Sequence, residues 1–480
     1  MTLIVDRHDE RARLASLLDD GAPRLVLLYG RRRVGKTYLL THVWSAERAF
    51  YFTAAATTPE QNRRQLIADL ADWSGEDVRA EDYPTWRAVF RLLFDFRSPD
   101  PLAIVLDEFQ YLGEDSASLA TVASELNAAW EQRRPRRALV VVLSGSAIGT
   151  LAALDQGAAP LHGRFDWKHQ LQPFDYRDAA EMTPLRHVRD RARAYGVFGG
   201  TPRYLAAVKP RLSLAENVTQ LMLAPSGEVR ELVRTAIVQE QGLRDTPRYV
   251  AILRAIAAGR TDLNEIGQGA GLSEDTGLRD KIERLTTLGY VRPERNLGAR
   301  QKAPFRYRLA DPAHMFFYEF VARYETALER NDARELWRKH VEPAFDTYMG
   351  HVFERIAEQA YTRLRNRFDL PMVREWGRWE GRDRAGEPLE IDIACTLTDG
   401  GVMTGGVKWN ARPLGAEWIQ HHLRMLDRLA DAGVTWAHIA REPESPLIFV
   451  AAGGWTPAFE QAARTAHRTV ILWTLDDLYQ

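Results

Sequence analysis

The stretch LVLLYGRRRVGKTYLL, residues 25–40, decides how this chain is read. Residues 25–29 are apolar and predict a strand, residues 30–34 a loop, and Gly35-Lys36-Thr37 the first turn of a helix. Gly30, Gly35, Lys36 and Thr37 satisfy G-x-x-x-x-G-K-[ST], the spacing of a phosphate-binding (Walker A) loop. The glycines let backbone N–H groups wrap a polyphosphate, and the helix N-terminus adds a favourable dipole. Lys36 brings a point charge to the outer phosphates, and Thr37 a hydroxyl to the accompanying magnesium. A chance Gly/Lys turn is the plain alternative, and a full-length motif between strand and helix argues against it.

Outward from this loop, LAIVLDEFQYL (residues 102–112) reads as an apolar strand ending in Asp107-Glu108, a Walker B pattern. At the strand tip Asp107 is placed to hold the magnesium hydration shell, and Glu108 to orient or polarise an attacking water. Solvated acids at a strand end are the competing reading, weakened by the phosphate loop upstream. A further strand, ALVVVL (residues 138–143), ends in Ser144-Gly145-Ser146, so Ser144 or Ser146 is a candidate sensor of the terminal phosphate. Polar strand tips are common, and both readings stay open. In PLHGRFDWKHQLQPF (residues 160–174), Arg164 is either a charge-neutralising arginine, acting in cis or from a neighbouring subunit, or half of a surface ion pair. The expected catalytic set is therefore Lys36, Glu108 and Arg164, with ATP and Mg2+ as ligands. Alternating strands and helices predict an α/β fold with a parallel sheet and the ligand at the strands' carboxyl ends. A strand intervening between the two motifs, with a glutamate beside the aspartate, points to ATP hydrolysis rather than kinase chemistry.

The 480 residues allow about three domains. A net charge of −1 argues against a protein that coats nucleic acid by charge alone, so such contacts need a local patch. One cysteine, Cys395, precludes internal disulfides and a cysteine-based zinc site. The start, MTLIVDRHDE, meets acidic residues before any apolar run long enough for a signal peptide, and a cytoplasmic location with no membrane span is expected.

Residues 175–245 show helical spacing without an obvious strand, as in a helical lid. Within it, YGVFGGTPRYL (residues 195–205) carries a rigid Gly199-Gly200-Pro202 turn beside Arg203 and Tyr204. From Thr246 three helices and two short strands describe a winged helix over residues 246–310. Its second half is basic, and Arg292, Arg295, Arg300 and Lys302 are candidates for phosphate contacts with DNA. Glu274 and Asp275, at the start of the presumed recognition helix, would repel DNA, so an intramolecular or protein-docking role competes. A helical linker, residues 311–344, leads to an α/β unit over residues 345–480, with a helix carrying Glu354, a strand PLEIDIAC carrying Glu390 and Asp392, and a strand GGVKWN carrying Lys408.

Taken together, YGRRRVGKT, LDEFQYL, LSGS, PLHGR, GGTPRYL, LADPAHMFFYEFV, EIDIA and VKW resemble the archaeal-type P-loop ATPase family, related to AAA+ and signal-transduction ATPases with numerous domains. The resemblance covers nearly the whole chain. It implies an ATPase core (1–174), a lid (175–245) whose Gly200-Thr201-Pro202 turn, with Arg203, meets the adenine side, a winged helix, a linker, and a C-terminal domain similar to the PD-(D/E)xK (restriction-endonuclease-like) nuclease fold. That nuclease chemistry uses acids to hold magnesium and a lysine to position water. Glu354, Asp392 and Lys408 match the pattern, but Gly406 stands where the second metal carboxylate belongs. Either Glu390 or Glu417 has taken over, or the domain is a non-catalytic relic used for binding, the reading favoured here.

Three functions follow: an ATP-hydrolysing molecular switch, an ATP-gated DNA nuclease acting against foreign DNA, and an ATP-holding homo-oligomeric scaffold or regulator. Arg31, Arg32 and Arg33 have no phosphate role in any of them and are candidates for solvation or for docking the lid or terminal domain.

Overall fold

The computed structural model describes the chain apart from residues 1–6, 97–98, 133–137, 184, 241–242, 244, 273–276, 301 and 331; Glu274 and Asp275 thus lie outside the described residues. The chain divides into two compact units. The first comprises Met1–Pro173 with Ala236–Asp245, the second Phe174–Thr235 with Thr246–Gln480.

In the first unit the apolar runs become strands β1 (Arg24–Tyr29), β2 (Ala49–Thr53), β3 (Leu102–Asp107), β4 (Leu139–Gly145) and β5 (Trp167–Gln170). They pair in parallel in the order β2-β3-β4-β1-β5. Every residue of β3 and β4 is buried, as continuous apolar strands are when both faces of a parallel sheet are covered. Leu14, Leu17 and Leu18 of the helix His8–Asp19 cover one face, packing on Val26, Leu28, Val105 and Val142. The order sets β4 between β1 and β3, so the phosphate loop and Asp107 emerge from the same edge of the sheet, one strand apart. Strand β5 was not foreseen, because its sequence, WKHQ, has neither apolar alternation nor length.

The second unit begins with short helices, among them Tyr176–Met182, Val188–Phe198 and Pro202–Leu205. Three helices, Thr246–Ala257, Leu263–Ala270 and Leu278–Thr287, precede an antiparallel hairpin of β6 (Val291–Glu294) and β7 (Arg306–Leu309). The helix Glu342–Leu364 then leads to a mixed sheet of β8 (Val373–Arg382), β9 (Pro388–Leu397), β10 (Val402–Lys408), β11 (Leu447–Ala451) and β12 (Val470–Thr474), in the order β12-β11-β10-β9-β8. Strands β8, β9 and β10 are antiparallel neighbours, and β10, β11 and β12 run parallel. Strand β8, VREWGRWEGR, was missed in the sequence: charges and glycines interrupt its alternation, and most of it is only half-buried.

The hairpin is fastened to β8. The Leu297 N–H donates to the Arg378 carbonyl at 2.9 Å, and the Asn296 side chain exchanges hydrogen bonds with the backbone of Glu380 at 2.7 and 3.1 Å. Leu297, 2 % exposed, sits in the same core as Leu389, Ile391, Leu426 and Trp436, and the Trp436 indole donates to its carbonyl at 2.9 Å. Leu297→Ala should therefore lower unfolding stability by about 3 kcal/mol, the usual cost of emptying a buried leucine site. Urea denaturation of the full chain measures it, and a loss under about 0.5 kcal/mol, the surface range, would mean the hairpin is not anchored.

Candidate active site

Gly35, at φ +95°, lets the phosphate loop turn into the helix Lys36–His42. The Lys36 ammonium donates to the carbonyls of Gly30 at 2.8 Å and Arg31 at 3.0 Å, folding back over the loop. Burial pulls its pKa below the usual lysine value, while the charges of Glu108, Asp107 and Glu240 oppose that shift. Across the sheet edge, the Thr37 hydroxyl donates to Asp107 Oδ2 at 2.9 Å. The same oxygen accepts the Tyr51 hydroxyl, and Oδ1 accepts the Glu108 N–H at 2.9 Å. Glu108 stands at φ +52°. Its Oε2 accepts the Ser146 hydroxyl at 2.9 Å, the Ser146 N–H at 3.2 Å, and the Gln110 side-chain amide.

The donor set fits a nucleotide-bound magnesium. Because Thr37 directs its one hydroxyl proton to Asp107, its oxygen lone pairs are left for a cation, and a nearby carboxylate is the usual partner of the ion's waters. The two candidate sensors differ. Ser146 holds Glu108, whereas the Ser144 hydroxyl is buried without a hydrogen-bond partner among the described residues. Arg164 is exposed and pairs with Glu131 at 3.0 Å. In the second unit, Pro202 opens the turn Pro202–Leu205, and Arg203 forms an exposed ion pair with Glu228 at 2.6 Å.

The three loop arginines have protein partners. Arg32 donates to the Tyr111 hydroxyl at 3.2 Å, and Arg33 to Gln239 Oε1 at 2.7 Å, while Arg31 is buried. Gln239 lies in Ala236–Asp245, a segment that packs with the first unit although the residues before and after it belong to the second. Docking by Arg33 is thus to this returning segment.

Around the hairpin the residues expected to contact phosphate have differing surroundings. Arg292 is held by Glu294 at 2.5 Å and Glu358 at 3.0 Å, so its charge is answered within the protein. Arg308 pairs with Glu294 and Glu380, and Arg306 with Glu380. Arg295 stacks on Phe305, 3.6 Å from the ring centroid, and Arg300 and Lys302 are exposed. A cavity of about 410 Å³ lies against this network, lined by Arg292, Arg308, His351, Glu354, Arg378 and Glu380.

In the terminal sheet, Glu354, Glu390 and Asp392 have ligand atoms within 4.8 Å of one another. Glu390 rather than the exposed Glu417 joins this cluster. Asp392 accepts the Val407 N–H at 2.9 Å and lies 3.8 Å from the Lys408 ammonium. The cluster contains its own cation, however: Arg378 pairs with Glu354 at 3.2 Å and with Glu390. A Cβ at Gly406 would lie 3.5 Å from Asp392 Oδ2 but 2.9 Å from the Trp418 ring, so Trp418 fills the room a second metal acid needs. As arranged, these acids are neutralised by a guanidinium and do not fit an open divalent-cation site. Tyr51, Gln110 and Arg378 escaped the sequence reading. The signal for Tyr51 was the Phe50-Tyr51-Phe52 alternation, which puts the one hydroxyl on the face opposite two core rings.

Residues 4–208 match the model of an ATPase domain found predominantly in Archaea. Residues 317–418 match that of archaeal and bacterial proteins of unknown function. An uncharacterized protein of Methanocaldococcus jannaschii is 24 % identical over 414 residues, which cover 85 % of this chain and 88 % of that one. Among solved structures, the Walker-type ATPase PABY2304 of Pyrococcus abyssi shares 21 % identity, with a TM-score of 0.48 over 66 % of this chain and 96 % of its own. The ORC2 protein of Aeropyrum pernix, in its ADPNP-ADP complexes, shares 17 % identity, with a TM-score of 0.42 over 68 % and 96 %. The fold is α/β, with a five-stranded parallel sheet of the P-loop ATPase kind and a separate mixed-sheet domain. Among the described residues no helix is long and apolar enough to cross a membrane.

Burial, opposed by Arg378 and aided by Asp392, pushes the Glu354 carboxyl up to about 7. An acid whose folded pKa is raised binds its proton more readily in the native state, so its contribution to stability is complete below about pH 4.5 and is lost as pH rises through 7. Thermal melts of wild type and Glu354→Gln should diverge between pH 5 and 8, the wild type losing stability relative to the variant by about 2–3 kcal/mol. Parallel curves would contradict the assigned burial.

Proposed function

We propose that the chain is an ATP-hydrolysing molecular switch. The observation that carries this reading is the assembly, at one edge of the parallel sheet, of Lys36, the Thr37–Asp107 hydrogen bond and the Glu108–Ser146 hydrogen bond. Lys36 exchanges its Gly30 and Arg31 carbonyls for the outer phosphates, a move its five-atom reach allows without backbone change. Thr37 and Asp107 would hold a magnesium ion, and when bound the ion would supply charge against that developing on the transferred phosphoryl group. Glu108 accepts a proton from the attacking water once Ser146 turns to the terminal phosphate, so the serine both senses the ligand and releases the base. Arg164 stabilises the same charge after leaving Glu131, in cis or from a second copy.

In this reading residues 1–174 are the hydrolytic core, 175–245 a lid carrying the Pro202-Arg203 turn, and 246–310 a winged helix. Residues 311–344 are a linker and 345–480 a nuclease-like domain. Support for docking rather than DNA binding as the hairpin's main role comes from Arg292, Arg306 and Arg308, whose charges are matched by glutamates. The segment Ala236–Asp245, at the end of the lid and just before the winged helix in sequence, touches the loop through Gln239, which makes it a covalent route by which nucleotide state reaches the rest of the chain.

ATP turnover by purified wild type should fall on the order of a hundredfold in Glu108→Gln, with nucleotide binding retained. Lys36→Ala should lose both. Equal turnover in all three proteins would sink the proposal.

A specific observation also bears on the nuclease reading: Arg378 stands among Glu354, Glu390 and Asp392. We infer a binding domain that has lost cleavage. Wild type with plasmid, ATP and magnesium or manganese should leave the DNA intact, and Arg378→Ala should bind Mn2+ more tightly than wild type by calorimetry. Plasmid cleavage that disappears in Asp392→Ala would overturn this inference.

A further inference from the structure

Asp107 is 2 % exposed, and a carboxylate offers about four acceptor positions, so its hydrogen bonds can be followed one by one. Oδ2 takes the Thr37 and Tyr51 hydroxyls, and Oδ1 takes the Glu108 N–H. The remaining position, on Oδ1, has no partner among the described residues. Thr37 belongs to the helix that follows the phosphate loop and is itself a candidate metal ligand. Tyr51 comes from β2, fixed beside β3 by the pairing of Tyr51 with Val105 and of Thr53 with Asp107. Its neighbours Phe50 and Phe52 are each 1 % exposed, so the strand cannot slide without opening the core. The phenol hydroxyl beside a carboxylate acts as the donor of that hydrogen bond.

We propose that Tyr51 is a positioning residue for the magnesium site: its hydroxyl, with the Thr37 hydroxyl and the Glu108 N–H, locks the rotation of the Asp107 carboxylate that would accept from the waters of an ion held by Thr37. This rests on the ATPase reading above and adds to it the residue that sets the metal requirement. A carboxylate with one donor fewer can rotate about its Cβ–Cγ bond and exchange its oxygens, and the ion's water then loses a fixed acceptor. Partners that orient a metal's ligands in this way are worth about 10- to 100-fold in metal affinity.

Tyr51→Phe keeps the ring and removes the donor. Binding of a fluorescent ATP analogue to the full chain should be followed in EDTA and across a magnesium series. The analogue's affinity in EDTA should equal that of wild type, and the magnesium concentration that half-tightens binding should rise about tenfold. Turnover at saturating magnesium should recover most of the wild-type rate. An unchanged magnesium requirement overturns the proposal, as does an equal loss of affinity in EDTA, which would make Tyr51 a support of the pocket as a whole. Wild type that binds no analogue in either condition would instead remove the ATPase reading, and this proposal with it.

Discussion

The hydrogen bond from Thr37 to Asp107 is the constraint on which the first unit depends, because it joins residues 70 positions apart, one on the helix that follows β1 and one at the tip of β3, strands that are not neighbours. For the hydroxyl and the carboxylate to meet at 2.9 Å, β1 and β3 must end at the same height on either side of β4. The register provides this: Leu28 lies beside Ser144 and Leu106 beside Leu143. Parallel strands buried on both faces can hold such a register because any slip would move polar tips into the core. The unusual backbone of Glu108 follows from the same meeting. Its N–H is tied to Asp107 Oδ1, which turns the chain sharply at the strand end and costs about 1 kcal/mol for a non-glycine residue in the left-handed region.

The second unit is organised by charge pairing rather than by a single bond. Arg292, Arg306 and Arg308 on the hairpin meet Glu294, Glu358 and Glu380, and Arg378 meets Glu354 and Glu390. Exposed pairs of this sort contribute little one at a time, but these share partners and adjoin the buried Leu297 anchor, so they fix orientation more than they add stability. The same pairing answers the charges of Arg292, Arg306 and Arg308, and those of Glu354 and Glu390, within the protein.

Much of this was legible in the sequence, and the omissions have physical causes. The phosphate loop and the Asp-Glu strand could be read because each residue type is tied to one chemistry at one spacing, and β1, β3 and β4 because both their faces are apolar. Strand β8 was hidden, since a half-buried edge strand needs no apolar alternation, and with it Arg378, whose meaning depends on glutamates 12 and 24 residues away. The basic hairpin could be read as a nucleic-acid surface or as a docking element, because a sequence gives charge but not its partners. Gly406 was the reverse case: its missing carboxylate was visible at once, while Trp418, which fills the space, lies 12 residues on and across the fold.

Ser146 and Gln110 give the site its direction. Glu108 Oε2 accepts hydrogen bonds from both, so a water placed for attack must compete with donors already satisfied by the protein. A base held in this way is not idle by accident, because the serine that holds it is also at the strand tip beside the phosphate loop, where β4 adjoins β1. A terminal phosphate offers Ser146 a charged acceptor, and charge-assisted hydrogen bonds are about twice as strong as neutral ones, yet the carboxylate it would leave is charged too. In the proposed switch the exchange sets one anionic acceptor against another, and Lys36 would leave backbone carbonyls for phosphate at the same step, taking a buried positive charge from a neutral partner to an anionic one.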